Sequence, residues 1–215
     1  MENKTIFVLG IGRNTPVFYD LLIDCGYTIL GSYHFDNSRK GEFDHGLRIL
    51  GSFDDLWGME TLKGMNFVLS QGDNAVRADI FNKRVAKGGQ LPTIIHPSAH
   101  VSQFATLGKG VVVHMNAIVH PDVFIDDDTV LSYNTAVTHG STIGKHCYMA
   151  ANSMVGAYVY VEDYVFIGIG ASIVSGKVNQ IGVHATIGAG ALVVKDVDAY
   201  DVVAGVPAKV LCTKK

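Results

Sequence analysis

An aliphatic side chain recurs every six residues through most of the second half of this chain, and this repeat constrains the fold more than any other feature. The unbroken series is Ile95, Val101, Leu107, Val113, Val119, Ile125, Leu131, Val137, Ile143, Met149, Val155, Val161, Ile167 and Ile173. The register slips by two residues at Asn179-Gln180 and resumes at Ile181, Ile187 and Val193, which indicates an insertion at a corner. Strands of a β-sandwich would instead alternate with period two and turn every ~8–12 residues. The repeat therefore predicts a parallel β-helix.

A second repeated position supports the first. Four residues after each aliphatic side chain, from Ala99 to Ala171, the sequence has a small or β-branched residue, and only Lys177 departs from this pattern. In a β-helix one hexapeptide supplies one short strand and one corner, so three hexapeptides close a triangular coil of about 18 residues. Both repeated positions then point inward, because a narrow, close-packed prism has room for one large side chain per face. The region is long enough for about five to six coils.

The first 92 residues follow a different pattern, in which apolar strands alternate with amphipathic helices. The predicted elements are a strand at 4–10, a helix at 15–25 with Thr15 as N-cap and Pro16 at N1, strands at 27–34 and 66–71, a helix at 74–87 and a strand at 91–95. Strands separated by helices predict a small doubly wound, Rossmann-like parallel sheet. We therefore expect an α/β domain at residues 1–92, an all-β domain at 93–198 and a closing segment at 199–215.

Composition and charge narrow the class of partner. The chain has 17 Lys and Arg against 20 Asp and Glu, and the basic residues are scattered, which argues against binding to nucleic acid or to an anionic membrane. The opening residues lack a basic region and a cleavage site, and no apolar run reaches ~18 residues, so we expect a cytoplasmic protein. The cysteines, Cys25, Cys147 and Cys212, have no CxxC spacing and are expected to be reduced.

Two glycines mark a candidate ligand site in the first domain. Gly10 and Gly12 lie at the first strand-to-helix turn, where amides at a helix N-terminus can hold a phosphate. Thr15 occupies the place of the third glycine of a dinucleotide-binding motif, so glycines that serve only a tight turn are the alternative. Asp36 follows the second strand, where a carboxylate either reaches a ribose or a base edge or is simply solvated.

Several segments resemble the sugar acetyltransferase family that includes the bacillosamine, perosamine and sialic acid acetyltransferases. They are Ile95-His96-Pro97-Ser98-Ala99, Gly72-Asp73-Asn74 with Arg77, Ile187-Gly188-Ala189-Gly190-Ala191 with Val194-Lys195-Asp196, and Gly205-Val206-Pro207-Ala208-Lys209. The hexapeptide at 143–148 resembles those of left-handed β-helix acyltransferases. The resemblance spans the whole chain, and it implies left-handed coils that follow a Rossmann-like sugar-nucleotide domain.

The same resemblance implies an acetyl-CoA-dependent enzyme that acetylates an amine or hydroxyl of a sugar, often a nucleotide-linked 4-amino sugar. The family forms homotrimers and binds acetyl-CoA between neighbouring subunits. By resemblance, the cofactor contacts are Tyr148, Ile169, Ala189 and Lys209, the substrate contacts are Gly10, Gly12, Arg13, Asp36, Gly72 and Asn74, and the catalytic residue is His139.

His139 stands two residues after the inward-pointing Val137, at the place of the family's catalytic histidine. An attacking amine must lose a proton, and a neutral imidazole can accept it near physiological pH. The family usually flanks this histidine with acids, whereas this sequence has Thr138 and Gly140. Phe35 likewise replaces the first acid of a pair that reads the base. These departures leave open which group orients His139 and which nucleotide is bound.

Nine histidines also raise the question of a metal site, because the zinc-dependent gamma-class carbonic anhydrases resemble this fold. No histidine pair has the His-x4-His spacing of those enzymes, so no metal is expected, and His114, His120, His146 and His184 are expected to be exposed corner residues.

Two other functions stay open. One is O-acetylation of a free, sialic-type sugar, and the other is a non-catalytic oligomeric scaffold or nucleotide-binding module.

Overall fold

A computed structural model describes residues 4–214 and divides the chain into two compact units that meet between Ile94 and Ile95. Residues 1–3, on which the expectation about an export signal partly rests, lie outside the described residues. Within the described part, no helix has the length and apolar character that a membrane crossing requires.

The N-terminal unit is built on a five-stranded sheet with the order β3-β4-β2-β1-β5. Its strands are β1 (Thr5–Leu9), β2 (Thr28–His34), β3 (Phe43–Asp44), β4 (Leu47–Ser52) and β5 (Phe67–Leu69), its α-helices are α1 (Thr15–Asp24), α2 (Phe53–Trp57) and α3 (Asn74–Ala86), and a 3-10 helix spans Asn37–Arg39. Strands β4, β2, β1 and β5 are parallel, and β3 is antiparallel to β4. The carboxyl ends of the parallel strands therefore share one edge of the sheet.

The start of α1 differs from the prediction, because Asn14 rather than Thr15 is the N-cap. Thr15 is buried, and its Oγ1 accepts a hydrogen bond from the Gly12 amide at 2.9 Å and lies 3.0 Å from the hydroxyl of Ser70. The threonine hydroxyl thus ties the glycine turn after β1 to the residue that follows β5. A cap assigned from sequence alone cannot see this long-range partner.

The sequence pattern predicts neither the hairpin of β3 and β4 nor helix α2. The hairpin turns at His45 and Gly46, which both have positive φ, and α2 begins at a capping box formed by Ser52 and Asp55. Elements this short offer too few positions for a hydrophobic period to be recognised. The strand predicted at 91–95 is also shorter, since only Ile94–Ile95 is extended, and it joins a sheet of the second unit.

The C-terminal unit is a stack of coils with short parallel strands on three faces. The two-residue strands are β6 (Ile94–Ile95), β7 (His100–Val101), β8 (Thr106–Leu107), β9 (Val112–Val113), β10 (Ile118–Val119), β11 (Phe124–Ile125), β12 (Val130–Leu131), β13 (Ala136–Val137), β14 (Thr142–Ile143), β15 (Tyr148–Met149), β16 (Met154–Val155), β17 (Tyr160–Val161), β18 (Phe166–Ile167), β19 (Ser172–Ile173), β20 (Gln180–Ile181), β21 (Thr186–Ile187) and β22 (Leu192–Val193). They form sheets in the orders β22-β19-β16-β13-β10-β7, β20-β17-β14-β11-β8 and β21-β18-β15-β12-β9-β6.

The pairing register confirms the predicted coil length. Val119 pairs with Val137, so a strand contacts the strand one coil later, eighteen residues along the chain. Val161 pairs with Ile181, twenty residues along, which confirms the two-residue insertion at a corner. Stacked parallel sheets of this kind fit the β-helix that the six-residue repeat predicts.

The repeated aliphatic positions form one continuous core. Its fully buried members on the repeat are Val113, Val119, Ile125, Leu131, Val137, Ile143, Met149, Val155, Val161, Ile167, Ile173, Ile181, Ile187 and Val193. Val101 and Leu107 in the first coil are partly buried against this core, and Ile95 departs furthest from the prediction, because 40% of it is exposed. It lies in β6, the terminal strand of its sheet, where no preceding coil covers it.

The expected exposure of the corner histidines is wrong for His114 and His146, which are only 2% and 5% exposed. His120 and His184 are partly buried. The six-residue period shows that these residues lie at corners, but it does not show which corners neighbouring side chains cover. Burial removes water from a histidine, so its partners and its pKa have to be read from the structure.

One corner carries a column of stacked side chains, one from each coil. His146 Nδ1 lies 2.8 Å from Asp128 Oδ2, and both side chains are buried. Above this pair the rings of His146, Tyr164, His184 and Tyr200 follow at centroid separations of 4.9, 4.5 and 5.0 Å. The column accounts for the burial of His146, since the coils above and below supply its neighbours.

The chain ends on the sheet that begins with β6. Strand β23 (Asp201–Ala204) is parallel to β21, and β24 (Lys209–Thr213) returns antiparallel to β23. The Val206–Pro207 peptide bond between them is cis. This antiparallel return brings the predicted closing segment back against the last coils.

Candidate functional site

His139 lies at the corner between β13 and β14. Val137 and Ser141, the inward positions of its hexapeptide, are fully buried, whereas His139 itself is exposed. The side chain therefore points away from the prism, as the sequence predicts. An exposed imidazole at this place is available to a substrate.

The side chain next to His139 is the aromatic ring of Tyr158 and not an acid. The centroid of the Tyr158 ring lies 5.2 Å from that of His139, and the two rings are nearly perpendicular. The hydroxyl of Thr138 donates to the Val155 carbonyl at 3.1 Å and is therefore not directed at the imidazole. Within residues 4–214, no side chain hydrogen-bonds or ion-pairs with His139.

The predicted cofactor residues fall in different places. Ile169 and Ala189 are exposed at the same corner of successive coils, and the Gly190 amide donates to the Ile169 carbonyl at 2.8 Å. Gly190 has a positive φ and nothing within 4 Å of the place of a Cβ, so this corner is open. Tyr148 is mostly buried and stacks on Phe166, with the ring centroids 5.9 Å apart.

Lys209, the fourth predicted cofactor residue, is exposed at the start of β24. It lines a small cavity of about 300 Å³ together with Lys195, Asp196 and the buried Val193, the last aliphatic residue of the repeat. Neither Ile169 nor Ala189 lines this cavity. The structure therefore brings together two of the four predicted cofactor residues.

The N-terminal unit has a cavity of about 630 Å³ at the carboxyl ends of β1, β2 and β5. Its lining residues are Gly10, Ile11, Gly12, Arg13, Asn14, Phe35, Phe53, Ser70, Gln71, Gly72 and Val76. Four of the six predicted substrate contacts, Gly10, Gly12, Arg13 and Gly72, lie here together. The edge of a parallel sheet is where such folds bind ligands.

Gly10 has to be a glycine in this cavity. Its φ is +96°, and an added Cβ would lie 1.7 Å from Nε2 of Gln71. Any side chain at residue 10 would displace the Gln71 amide, which lines the same cavity. The glycine thus serves a close approach within the site as well as the turn.

Asp36 and Asn74 do not line the cavity. Asp36 Oδ1 accepts a hydrogen bond from the Ser38 amide at 2.9 Å, and hydrogen bonding to Ser38 lowers the pKa of this fully exposed carboxyl group. Asn74 Oδ1 accepts a hydrogen bond from Nη1 of the buried Arg77 at 3.1 Å. Short polar side chains near helix starts often bond to local groups in this way.

From the sequence, Phe35 was noted only as the loss of an acid, and the aromatic part of the cavity was missed. Phe35 is 74% exposed, and its ring centroid lies 4.3 Å from that of His34. Phe53, the first residue of α2, lies on the same lining. A large aromatic residue directly after a parallel strand was the available signal, because that position faces the ligand edge of the sheet.

The described residues hold no group of three or more His, Cys, Asp or Glu side chains that could bind a metal ion.

No protein-family model matches the chain. Among curated relatives, it is 30% identical over 105 residues to an acyl-[acyl-carrier-protein]–UDP-N-acetylglucosamine O-acyltransferase of Ectopseudomonas mendocina, and 30% identical over 102 residues to that of Pseudomonas aeruginosa. The first match covers 48% of this chain and 40% of the relative. The chain thus spans well under half the length of the curated relatives it matches.

Similar solved structures extend over nearly the whole chain. PerB of Caulobacter crescentus, solved with CoA and GDP-perosamine, is 27% identical, with a TM-score of 0.86 and 99% of each chain covered. The acetyltransferase domain of PglB from Neisseria gonorrhoeae, solved with acetyl coenzyme A, is 25% identical, with a TM-score of 0.71 over 97% of this chain and 100% of that one. WeeI from Acinetobacter baumannii shares the fold at 18% identity and a TM-score of 0.68, covering 97% of this chain and 100% of its own.

Proposed function

We propose that this chain is a sugar acetyltransferase of the hexapeptide-repeat type, which transfers an acetyl group from acetyl-CoA to the amino group of a nucleotide-linked amino sugar. The observation that carries the proposal is the similarity over 99% of both chains to PerB, whose structure holds CoA and GDP-perosamine. The exposed His139 at a corner of the β-helix supports it.

In this reaction the sugar amine attacks the thioester carbonyl. A C–N bond forms, the C–S bond breaks, and CoA leaves as a thiolate that takes up a proton. His139 acts as the general base that removes a proton from the attacking nitrogen, a contribution of about 10²–10⁴ in rate. Holding the two reactants in contact supplies much of the remaining acceleration.

The N-terminal unit is a Rossmann-like domain that binds the nucleotide in the 630 Å³ cavity. The phosphates lie at the N-terminus of α1, where Gly12 and Arg13 offer a helix end and a cation. The base packs against Phe35, because an exposed ring at this edge offers a stacking surface that an isolated carboxylate does not. Gly72 lines this edge, whereas Asp36 and Asn74 bond to local groups outside the cavity.

Acetyl-CoA lies along the open corner marked by Ile169 and Ala189. The absence of side chains at Gly170 and Gly190 lets a ligand approach the backbone there. Lys209 supplies a cation for the phosphates of CoA. Tyr148, which is mostly buried against the Phe166 ring, does not contact the cofactor directly.

The test is the consumption of acetyl-CoA with a panel of nucleotide-linked amino sugars, the same sugars without nucleotide, and sialic acids. We expect turnover only with nucleotide-linked amino sugars. In the Phe35→Ala variant the KM for the sugar should rise about tenfold, since stacking on an aromatic ring is worth ~1–3 kcal/mol. Phe43→Ala is the matched control, because Phe43 is an exposed phenylalanine outside the cavity.

Turnover confined to free sialic acids would replace the proposal with O-acetylation. The absence of acetyl-CoA binding by calorimetry would leave a scaffold or nucleotide-binding module instead. Equal KM values for Phe35→Ala and the unmodified protein would contradict the stacking of the base.

We expect the chain to form a homotrimer. Exposed apolar side chains flank the corner of His139, with Ile118 and Met154 on one sheet and Phe124 and Tyr160 on the next. Exposing these apolar side chains to water costs free energy, and association of subunits lowers that cost by burying them. Light scattering at micromolar concentration should give three times the chain mass of 23.1 kDa. A monomer would contradict the trimer.

A further inference from the structure

We infer that Tyr158 is the residue that positions His139, taking the place of the missing acid. The inference rests on the proposed function, in which His139 is the general base. It concerns the orientation of the imidazole and assigns no chemical step to the tyrosine.

The backbone fixes Tyr158 beside His139. Its amide donates to the His139 carbonyl at 3.2 Å, across the junction between two successive coils. The two ring centroids are 5.2 Å apart with an interplanar angle of 89°, the edge-to-face arrangement that aromatic pairs prefer. The tyrosine ring is therefore a lateral support for an imidazole that is otherwise free to rotate.

Gly140 makes the space that this contact needs. The residue has a φ of +68°, and an added Cβ would lie 2.5 Å from Cε1 and 2.6 Å from Cδ1 of Tyr158. A side chain at residue 140 would push the tyrosine ring away from its place next to His139. Because Gly140 has no side chain, the Tyr158 ring can occupy the volume next to it.

No competing support lies nearby in the described part of the chain. The Thr138 hydroxyl is engaged with the Val155 carbonyl. No carboxylate among residues 4–214 forms an ion pair with His139. A general base has to meet the proton it removes at hydrogen-bond distance, so freedom of the ring lowers the fraction of productive encounters.

The experiment compares Tyr158→Ala, Tyr158→Phe and Gly140→Ala by steady-state kinetics on the full chain. Tyr158→Ala should lower kcat about 3- to 10-fold and leave the KM for acetyl-CoA unchanged. Tyr158→Phe keeps the ring and should restore kcat to within about twofold. Gly140→Ala should reproduce the loss, and the double variant Gly140→Ala with Tyr158→Ala should be no worse than either single variant.

Gly176→Ala is the matched control. Gly176 has nearly the same backbone conformation at the same kind of corner, with a φ of +66°, but nothing lies within 4 Å of the place of its Cβ. It therefore reports the backbone strain of an alanine at positive φ without disturbing a ring. Its kcat should equal that of the unmodified protein.

An NMR measurement, which does not depend on catalysis, tests the contact between Tyr158 and His139 itself. In protein labelled at histidine, the ring protons of His139 should shift by NMR when Tyr158 becomes alanine, and should keep their positions when it becomes phenylalanine. Full activity of His139→Ala would overturn the general-base role of His139, on which this inference rests. An inactive His139→Ala together with unchanged kcat in Tyr158→Ala would overturn the positioning role alone, as would a Tyr158→Phe variant as slow as the alanine variant.

Discussion

Replacing His139 by alanine is expected to lower kcat by about 100-fold or more, because the variant loses the general base and retains only the binding of the two substrates. The affinity for acetyl-CoA, measured by calorimetry, should stay nearly unchanged. The thermal midpoint of unfolding should also stay within a few degrees, because His139 is exposed and buries little apolar surface.

His100→Ala is the control for this result, since His100 is an exposed histidine in β7 of the same β-helix. Its kcat should match that of the unmodified protein. If His139→Ala keeps more than about a third of the original kcat, another group removes the proton and His139 is not the base.

The free energy of unfolding is expected to fall by about 3 kcal/mol between pH 7 and pH 4 on account of His114 alone. Burial, and to a smaller extent the nearby His96, lower the pKa of this side chain from 6.5 to about 4. The unfolded chain binds a proton below pH 6.5, whereas the folded chain resists it until about pH 4. The contribution of His114 to stability is therefore complete above pH 6.5 and is lost as the pH falls through this window.

Denaturant unfolding of His114→Gln, followed at both pH values and at one protein concentration, isolates this contribution. The variant lacks the titrating group, so its stability should fall less than that of the unmodified protein by about 3 kcal/mol over the same interval. His100→Gln, at an exposed position, should leave the pH dependence unchanged. An identical pH dependence in His114→Gln would show that His114 does not carry the loss.

The β-helix could be predicted from the sequence because every coil needs large aliphatic and small side chains at the same inward positions. The aliphatic positions from Val113 to Val193 are buried in register, and even the insertion before Ile181 was visible as a slip of the period. Only the end of the stack departs, where Ile95 lacks a preceding coil.

The N-terminal unit was predicted less completely, because its short elements depend on contacts between distant residues. The alternation of strands and longer helices indicated a parallel sheet, but the β3-β4 hairpin and helix α2 are too short to show a period. The N-cap of α1 is Asn14 and not the predicted Thr15, because Thr15 bonds to Gly12 and packs against Ser70.

The candidate site was predicted in its outline and not in its detail. Register placed His139 outside the prism, and the glycine turn located the cavity edge with Gly10 and Gly12. The support from Tyr158 could not be seen, because the ring reaches His139 only across the stacking of coils. Burial of the other histidines was hidden for the same reason, since a residue's neighbours lie eighteen residues away.

This constant separation also governs how the second unit can fold. Each pairing in the stack closes a loop of eighteen or twenty residues, so the entropy lost on adding a coil is nearly the same at every level. Once one coil has closed, the next only has to lay its strands on an existing edge, and folding can start at any level and spread toward both ends. The order of the coils along the chain therefore does not dictate the order in which they fold. The two-residue insertion hardly slows the closure of its coil, because closure entropy changes only logarithmically with loop length.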